Sequence, residues 1–214
     1  ILNSKTYQLS SMPRFKGPEA EANFASYPLR RLDAEVLIDA INTITGTTDL
    51  YTSPIPEPFT YIPENLPAVG IADGSISSPF LTLFGRTARA TGMENERDNK
   101  PLPAQWRYLL NSSQIQRKIE QGPKLRPLIE SGRKPSEILE ELYLTFLSRH
   151  PTPDELKTVA TYGSFTTVTQ PSSTKSGSGK SSGKSSSSSR QKYREDWVDI
   201  AWSLINSTEF LYRH

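Results

Sequence analysis

The residues best equipped for chemistry lie in one short run, Met93-Glu94-Asn95-Glu96-Arg97-Asp98, preceded by Arg86 and Arg89. Two carboxylates this close could divide general acid and general base work, or hold a hard cation, if burial separated their pKa values. On that reading Glu94 and Glu96 are the candidate catalytic groups, and Arg97 or Arg86 positions an anionic part of the substrate. The plainer reading is a salt-bridged loop that pins a short helix ending at Gly85 to the helix carrying Trp106.

A second polar group comprises Arg31, Glu35, Asp39 and Asn42, one stripe of a helix whose other side is apolar. Glu35 is four residues from both Arg31 and Asp39, so an exposed Arg31–Glu35 pair is expected, worth a few tenths of a kcal/mol. The stripe reads first as a solvated face. With Arg86 it is otherwise the candidate interface, since an unpaired Asp39 would invite a partner.

Other chemistry is thinly supplied. The chain has 2 His, His150 and His214, at no metal-ligand spacing, and His150 reads as a dipole-compensating helix cap. Cys 0 removes disulfides, thiolate metal sites, a Cys nucleophile and covalent haem attachment from this segment. No H-E-x-x-H, G-x-S-x-G, P-loop or dinucleotide glycine pattern occurs. Neither a metal nor a cofactor is expected here. A formal net charge of +2 gives no field for nucleic acid, and no stretch approaches the roughly 18 apolar residues of a membrane helix.

The elements that position these groups are helical. In residues 28–45, Leu29, Leu32, Val36, Leu37, Ala40, Ile41 and Ile44 follow one apolar face, with Ser26 as N-cap and Gly46 as stop. Residues 47–78 carry Pro54, Pro56, Pro58, Pro63 and Pro67 and form an extended excursion that lies on the helices. Ser78-Pro79 opens a short helix through Phe84. Further helices are expected over 103–111, from Ser112 or Ser113 toward Ile119, around Leu125 to Ile129, over 135–149, from the Thr152-Pro153-Asp154-Glu155 capping box to Tyr162, and over 194–206. Trp106, Trp197 and Trp202 are assigned to the core.

Residues 170–191 are almost wholly Ser, Gly and Lys and cannot offset the entropy of ordering, so they read as a flexible, disordered insertion. Because apolar text resumes beyond it, the insertion is read as a loop inside one domain spanning 1–214. The fold class expected is all-α: an orthogonal multi-helix domain with a Pro-rich excursion and a Ser/Gly/Lys insertion. The start at Ile1, without Met or a signal peptide, reads as a fragment or processed product of a larger chain.

Several phrases, taken together, resemble the planctomycete-type domain of unknown function 1553. They are Ser4 to Ser11, Arg30 to Ala40, Phe80-Leu81-Thr82-Leu83-Phe84-Gly85-Arg86, Leu109-Leu110-Asn111-Ser112, Tyr143-Leu144 with Leu147 to Thr152, and Asp196 to His214. The resemblance implies an extracytoplasmic protein, periplasmic or at the cell surface, whose fuller chain often contains a haem-binding cytochrome c domain and a sister domain of unknown function upstream. It implies no established reaction. Similar sequences usually show Cys-Glu-Cys-Glu-Arg where this chain has Met93-Glu94-Asn95-Glu96-Arg97, so a site built on that Cys pair is not available here.

Three functions are therefore expected, in order. The first is an accessory domain without catalysis of its own, docking on other domains of its parent protein. The second is a polysaccharide-active enzyme using Glu94 and Glu96. The third is a glycan-binding module presenting Tyr51, Phe59 and Tyr61 along a groove.

Overall fold

The computed structural model describes residues 1, 3–27, 29–56, 58–72, 74, 76, 78–87, 97–98, 100–162 and 194–213. The insertion expected over 170–191 and the carboxylates Glu94 and Glu96 lie outside them. The described elements are α1 (Pro18–Ala22), β1 (Arg30–Arg31), α2 (Ala34–Thr45), a 3-10 turn (Ala68–Gly70), α3 (Pro79–Leu83), α4 (Pro103–Asn111) and α5 (Ser113–Gln121). They continue with α6 (Leu125–Ile129), α7 (Pro135–Leu147), α8 (Pro153–Thr161), α9 (Arg194–Ile205), α10 (Thr208–Leu211) and β2 (Tyr212–Arg213). The fold is all-α, as expected, apart from one two-residue strand pair.

Packing is centred on α2, α5 and α9. Leu37 and Ile41 of α2, Ile115 and Ile119 of α5, and Ala201 and Ile205 of α9 are all fully buried. Each helix presents these residues three or four positions apart, the spacing of one face. The helices α6 and α7 pack on α9, and α3 packs on α2. The last helix thus returns to the core that the earlier ones begin.

Local signals set several helix ends. The Ser78 hydroxyl accepts from the Leu81 amide at 3.2 Å, with Pro79 at the first helical position of α3. Thr152 and Glu155 form the reciprocal capping box at α8, with N···O distances of 3.3 and 2.7 Å. Gly46 closes α2 at φ 74°, and its amide donates to the Asn42 carbonyl at 2.7 Å.

The start of α2 is corrected. It begins at Ala34 after Asp33, not at residue 28 after Ser26, because Arg30 and Arg31 are held extended by antiparallel pairing with Arg213 and Tyr212. Two-residue strands offer no alternation for a sequence to reveal. Two core assignments also change: Trp106 is 37% exposed, and Trp202 is only half-buried, while Trp197 is buried as expected.

Candidate functional site

The polar stripe of α2 faces inward. Glu35 is 6% exposed and takes two guanidinium groups. Arg97 donates from both terminal nitrogens, at 2.7 and 3.0 Å, and the Arg86 Nε lies 3.3 Å away. Arg86 is itself fixed to the excursion, donating to the carbonyls of Ile76 at 2.5 Å and Ile71 at 3.1 Å. One carboxylate therefore joins α2 to the chain just after α3 and the chain before α4, and through Arg86 to the end of the excursion.

The expected exposed pair between Arg31 and Glu35 does not form, because Arg31 lies in β1 and the helix starts beyond it. Arg31 is 6% exposed and donates to the Gln105 side-chain oxygen and, at 2.7 Å, to the Phe84 carbonyl. Its guanidinium carbon sits 5.2 Å from the centre of the Phe84 ring. Burial lowers the Arg31 pKa, partly offset by Tyr212, Asp33 and Asp98.

Asp39 is not an unpaired charge awaiting a partner. Its two oxygens accept from the backbone amides of Ala68 and Val69 at 2.7 and 2.9 Å, satisfying the open end of the 3-10 turn. Asn42 completes the stripe. It accepts from the Lys118 ammonium at 2.6 Å and donates to Asp49 at 3.1 Å, while Lys118 and Asp49 pair at 2.9 Å. The solvated-face reading is thus replaced by an internal polar seam.

Around the start of α2 this seam borders a cleft of about 210 Å³, lined by Asp33, Glu35, Val36, Val69, Thr87 and Arg97 among others. That is below the roughly 300 Å³ at which ligand pockets usually begin. Burial alone would raise the Glu35 carboxyl, but the hydrogen bond from Arg97, its own backbone, and the charges of Arg97 and Arg86 outweigh it and hold it below the usual range. Glu35 is therefore ionised near neutral pH with both oxygens occupied, which suits neither a general acid nor a free general base. Asp39 is equally committed. Among the described residues no group of three His, Asp or Glu is placed to hold a metal ion.

Arg31, Glu35, Asp39, Arg86 and Arg97 are thus brought into one region, as structural ties. Glu94 and Glu96 lie outside the described residues. His150 is exposed and pairs with Glu140 at 2.9 Å, while the left-handed cap of α7 is Ser148 at φ 55°. Tyr51 is buried at 9% exposure, whereas Phe59 and Tyr61 are 83% and 75% exposed, so the three do not form a shared aromatic platform.

Three contributors carried little sequence signal. Gln105, buried at 3%, accepts from Arg31 and from the Leu102 amide at 3.1 Å and donates to the Leu83 carbonyl at 2.9 Å. Lys118 sits beside Ile119 on the buried face of α5, a cation on an apolar stripe and hence a findable anomaly. Arg149 clasps Glu155 and Glu209 and lies over the Tyr143 ring, tying α8 to α10.

The surface has one further ordered feature. Leu102, the residue just before α4, and Trp106 and Leu110 within it follow at four-residue intervals and are 43%, 37% and 50% exposed. Trp106 stacks on Tyr212 of β2 at 6.5 Å.

The chain is thus a helical assembly around an apolar core, with a polar seam turned inward along α2 and a short apolar row left exposed at α4. The chain belongs to the family described as protein of unknown function (DUF1553), which matches residues 1–163. No curated protein and no solved structure matches it.

Proposed function

We propose that this chain is an interaction domain without catalysis of its own, part of a larger extracytoplasmic protein associated with a cytochrome c, and that it docks on other segments of that parent. The segment itself takes no cofactor; haem c belongs elsewhere in the parent chain. The observation that carries the reading is the exposed run of Leu102, just before α4, with Trp106 and Leu110 on it. An i, i+4, i+8 apolar row is how a helix addresses a partner surface, and uncovered apolar rows mark interaction sites. No helix among the described residues is long and apolar enough to cross a membrane, so this row does not belong to a transmembrane helix.

The arginine and carboxylate stripe is no longer the surface of choice, because Arg31, Glu35 and Asp39 are committed inside. A polysaccharide-active enzyme built on Glu94 and Glu96 gains no second acid or base from α2, where Glu35 and Asp39 are both saturated. The test is a pull-down of the remaining segments of the parent protein with this domain as bait. Trp106→Ser with Leu110→Asp should abolish capture while leaving the circular dichroism unchanged. Capture that survives the double substitution, or failure of every segment to bind the unaltered domain, overturns the proposal.

A further inference from the structure

On the neighbouring face of α4, turned away from the apolar row, an open groove of about 650 Å³ runs between α3, α4 and the start of α5. Its volume lies within the roughly 300 to 1,000 Å³ of ligand sites. The residues that matter in it are Leu83, Arg107, Tyr108, Asn111, Ser113 and Gln114.

The wall is built, not incidental. The Tyr108 ring is held edge-on by Phe80 at 5.7 Å and Phe84 at 6.1 Å. Its hydroxyl donates to Gln114 at 2.8 Å, the Gln114 amide donates to Asp49 at 3.0 Å, and Asp49 is held by the buried Lys118. A ring fixed by packing and by a chain of hydrogen bonds reaching the core is a prearranged stacking surface. At the rim the Arg107 guanidinium makes no hydrogen bond or ion pair with the described residues, and the Ser113 hydroxyl is likewise uncommitted. Asn111 spends its amide on the Arg107 carbonyl at 3.0 Å and keeps its side-chain oxygen as an acceptor. Among the described residues no acidic one lines the groove, so none of them compensates its cation.

We infer that this groove binds an acidic saccharide unit, a sugar carrying a carboxylate or a sulfate. The apolar C–H face of a pyranose would lie on Tyr108 and Leu83, its hydroxyls would meet Asn111 and Ser113, and its acid group would pair with Arg107. An aromatic surface offers the ring dispersion contact over a wide area. The guanidinium supplies a planar donor fork that matches carboxylate or sulfate. The open shape suits an internal unit of a polymer, because the chain can continue in both directions. This site is separate from the apolar row of α4, and does not depend on the docking reading.

The experiment is isothermal titration of the full 214-residue chain at low salt with tetragalacturonate, with a chondroitin sulfate tetrasaccharide and with neutral cellotetraose. At least one acidic tetrasaccharide should bind, and more tightly than cellotetraose. Arg107→Ala should weaken that binding about fivefold to tenfold. Ser113→Glu should abolish it by placing a like charge in the groove, and since an acid at the first position of α5 favours the helix, its melting temperature should not fall. Failure of both acidic ligands to bind, equal affinity for cellotetraose, or undiminished binding in a folded Ser113→Glu chain would each overturn the inference.

Discussion

Glu35 and Arg97 meet in a two-pronged ion pair across 62 residues of sequence, and Arg86 closes on the same carboxylate from a third segment. Removing the carboxylate leaves two guanidinium groups facing each other in a largely dry setting. Glu35→Ala should therefore destabilise the domain by on the order of 3 kcal/mol, measured by denaturant unfolding. The Glu35→Ala/Arg97→Ala double variant should cost less than the sum of the two single ones, since neither member of that pair is then left without the other and only Arg86 loses its carboxylate.

Acid should loosen the fold in a defined direction. Glu155 is held at about 2 from an ordinary 4.5, first by the hydrogen bond from Arg149 and with help from Thr152, against a burial effect that opposes it. A carboxyl depressed in the folded state stabilises above its unfolded value, and that contribution fades as pH falls from about 4.5 toward 2. Glu35 acts in the same sense. The melting temperature should drop steadily over that interval, and Glu155→Gln should flatten the decline while lowering stability at pH 7.

Asp39→Ala should expose a different weakness, local and modest. It removes the acceptor of the Ala68 and Val69 amides, a capping loss of about 1 to 2 kcal/mol. Hydrogen exchange should speed up at Ala68 and Val69 and leave the core of α2 protected. Uniform acceleration across the domain would mean that Asp39 does more than close the turn.

Two glycines separate backbone strain from crowding. Gly85 has φ 90°, and a Cβ there would sit 2.0 Å from the Asp98 carbonyl oxygen, whereas Gly132 has φ 65° with nothing within 4 Å. Gly132→Ala should cost about 1 to 2 kcal/mol, the strain of a left-handed non-glycine residue. Gly85→Ala adds displacement of Asp98, whose amide donates to the Gly85 carbonyl at 3.2 Å. Thermal unfolding should show Gly85→Ala clearly the less stable of the two.

What the sequence disclosed divides along the range of the forces involved. The Ser78-Pro79 start of α3, the Thr152 and Glu155 box and the Gly46 stop rest on groups within four residues of one another, and each was readable. The start of α2 was not, because Ser26 and Pro28 imitate a cap while the deciding contact is with Tyr212 and Arg213 at the other end of the chain. The polar stripe misled for the same reason: spacing suggested Arg31 for Glu35, but Glu35 takes Arg97 and Arg86, Arg31 takes Gln105 and Asn42 takes Lys118, all from distant segments. Trp106 looked like core by residue type, and only the placement of α4 shows its outward side.

The helix α9 gives the family match an unexpected reading. The matched stretch stops at residue 163, yet Trp197, Ala201 and Ile205 form a wall against α5, α6 and α7, and β2 then latches onto β1. The matched stretch and the packed core therefore have different bounds. A protein cut at the end of the match would keep its family signature and lose its back wall, and a separately supplied 194–213 peptide should restore it as the missing piece of a split core.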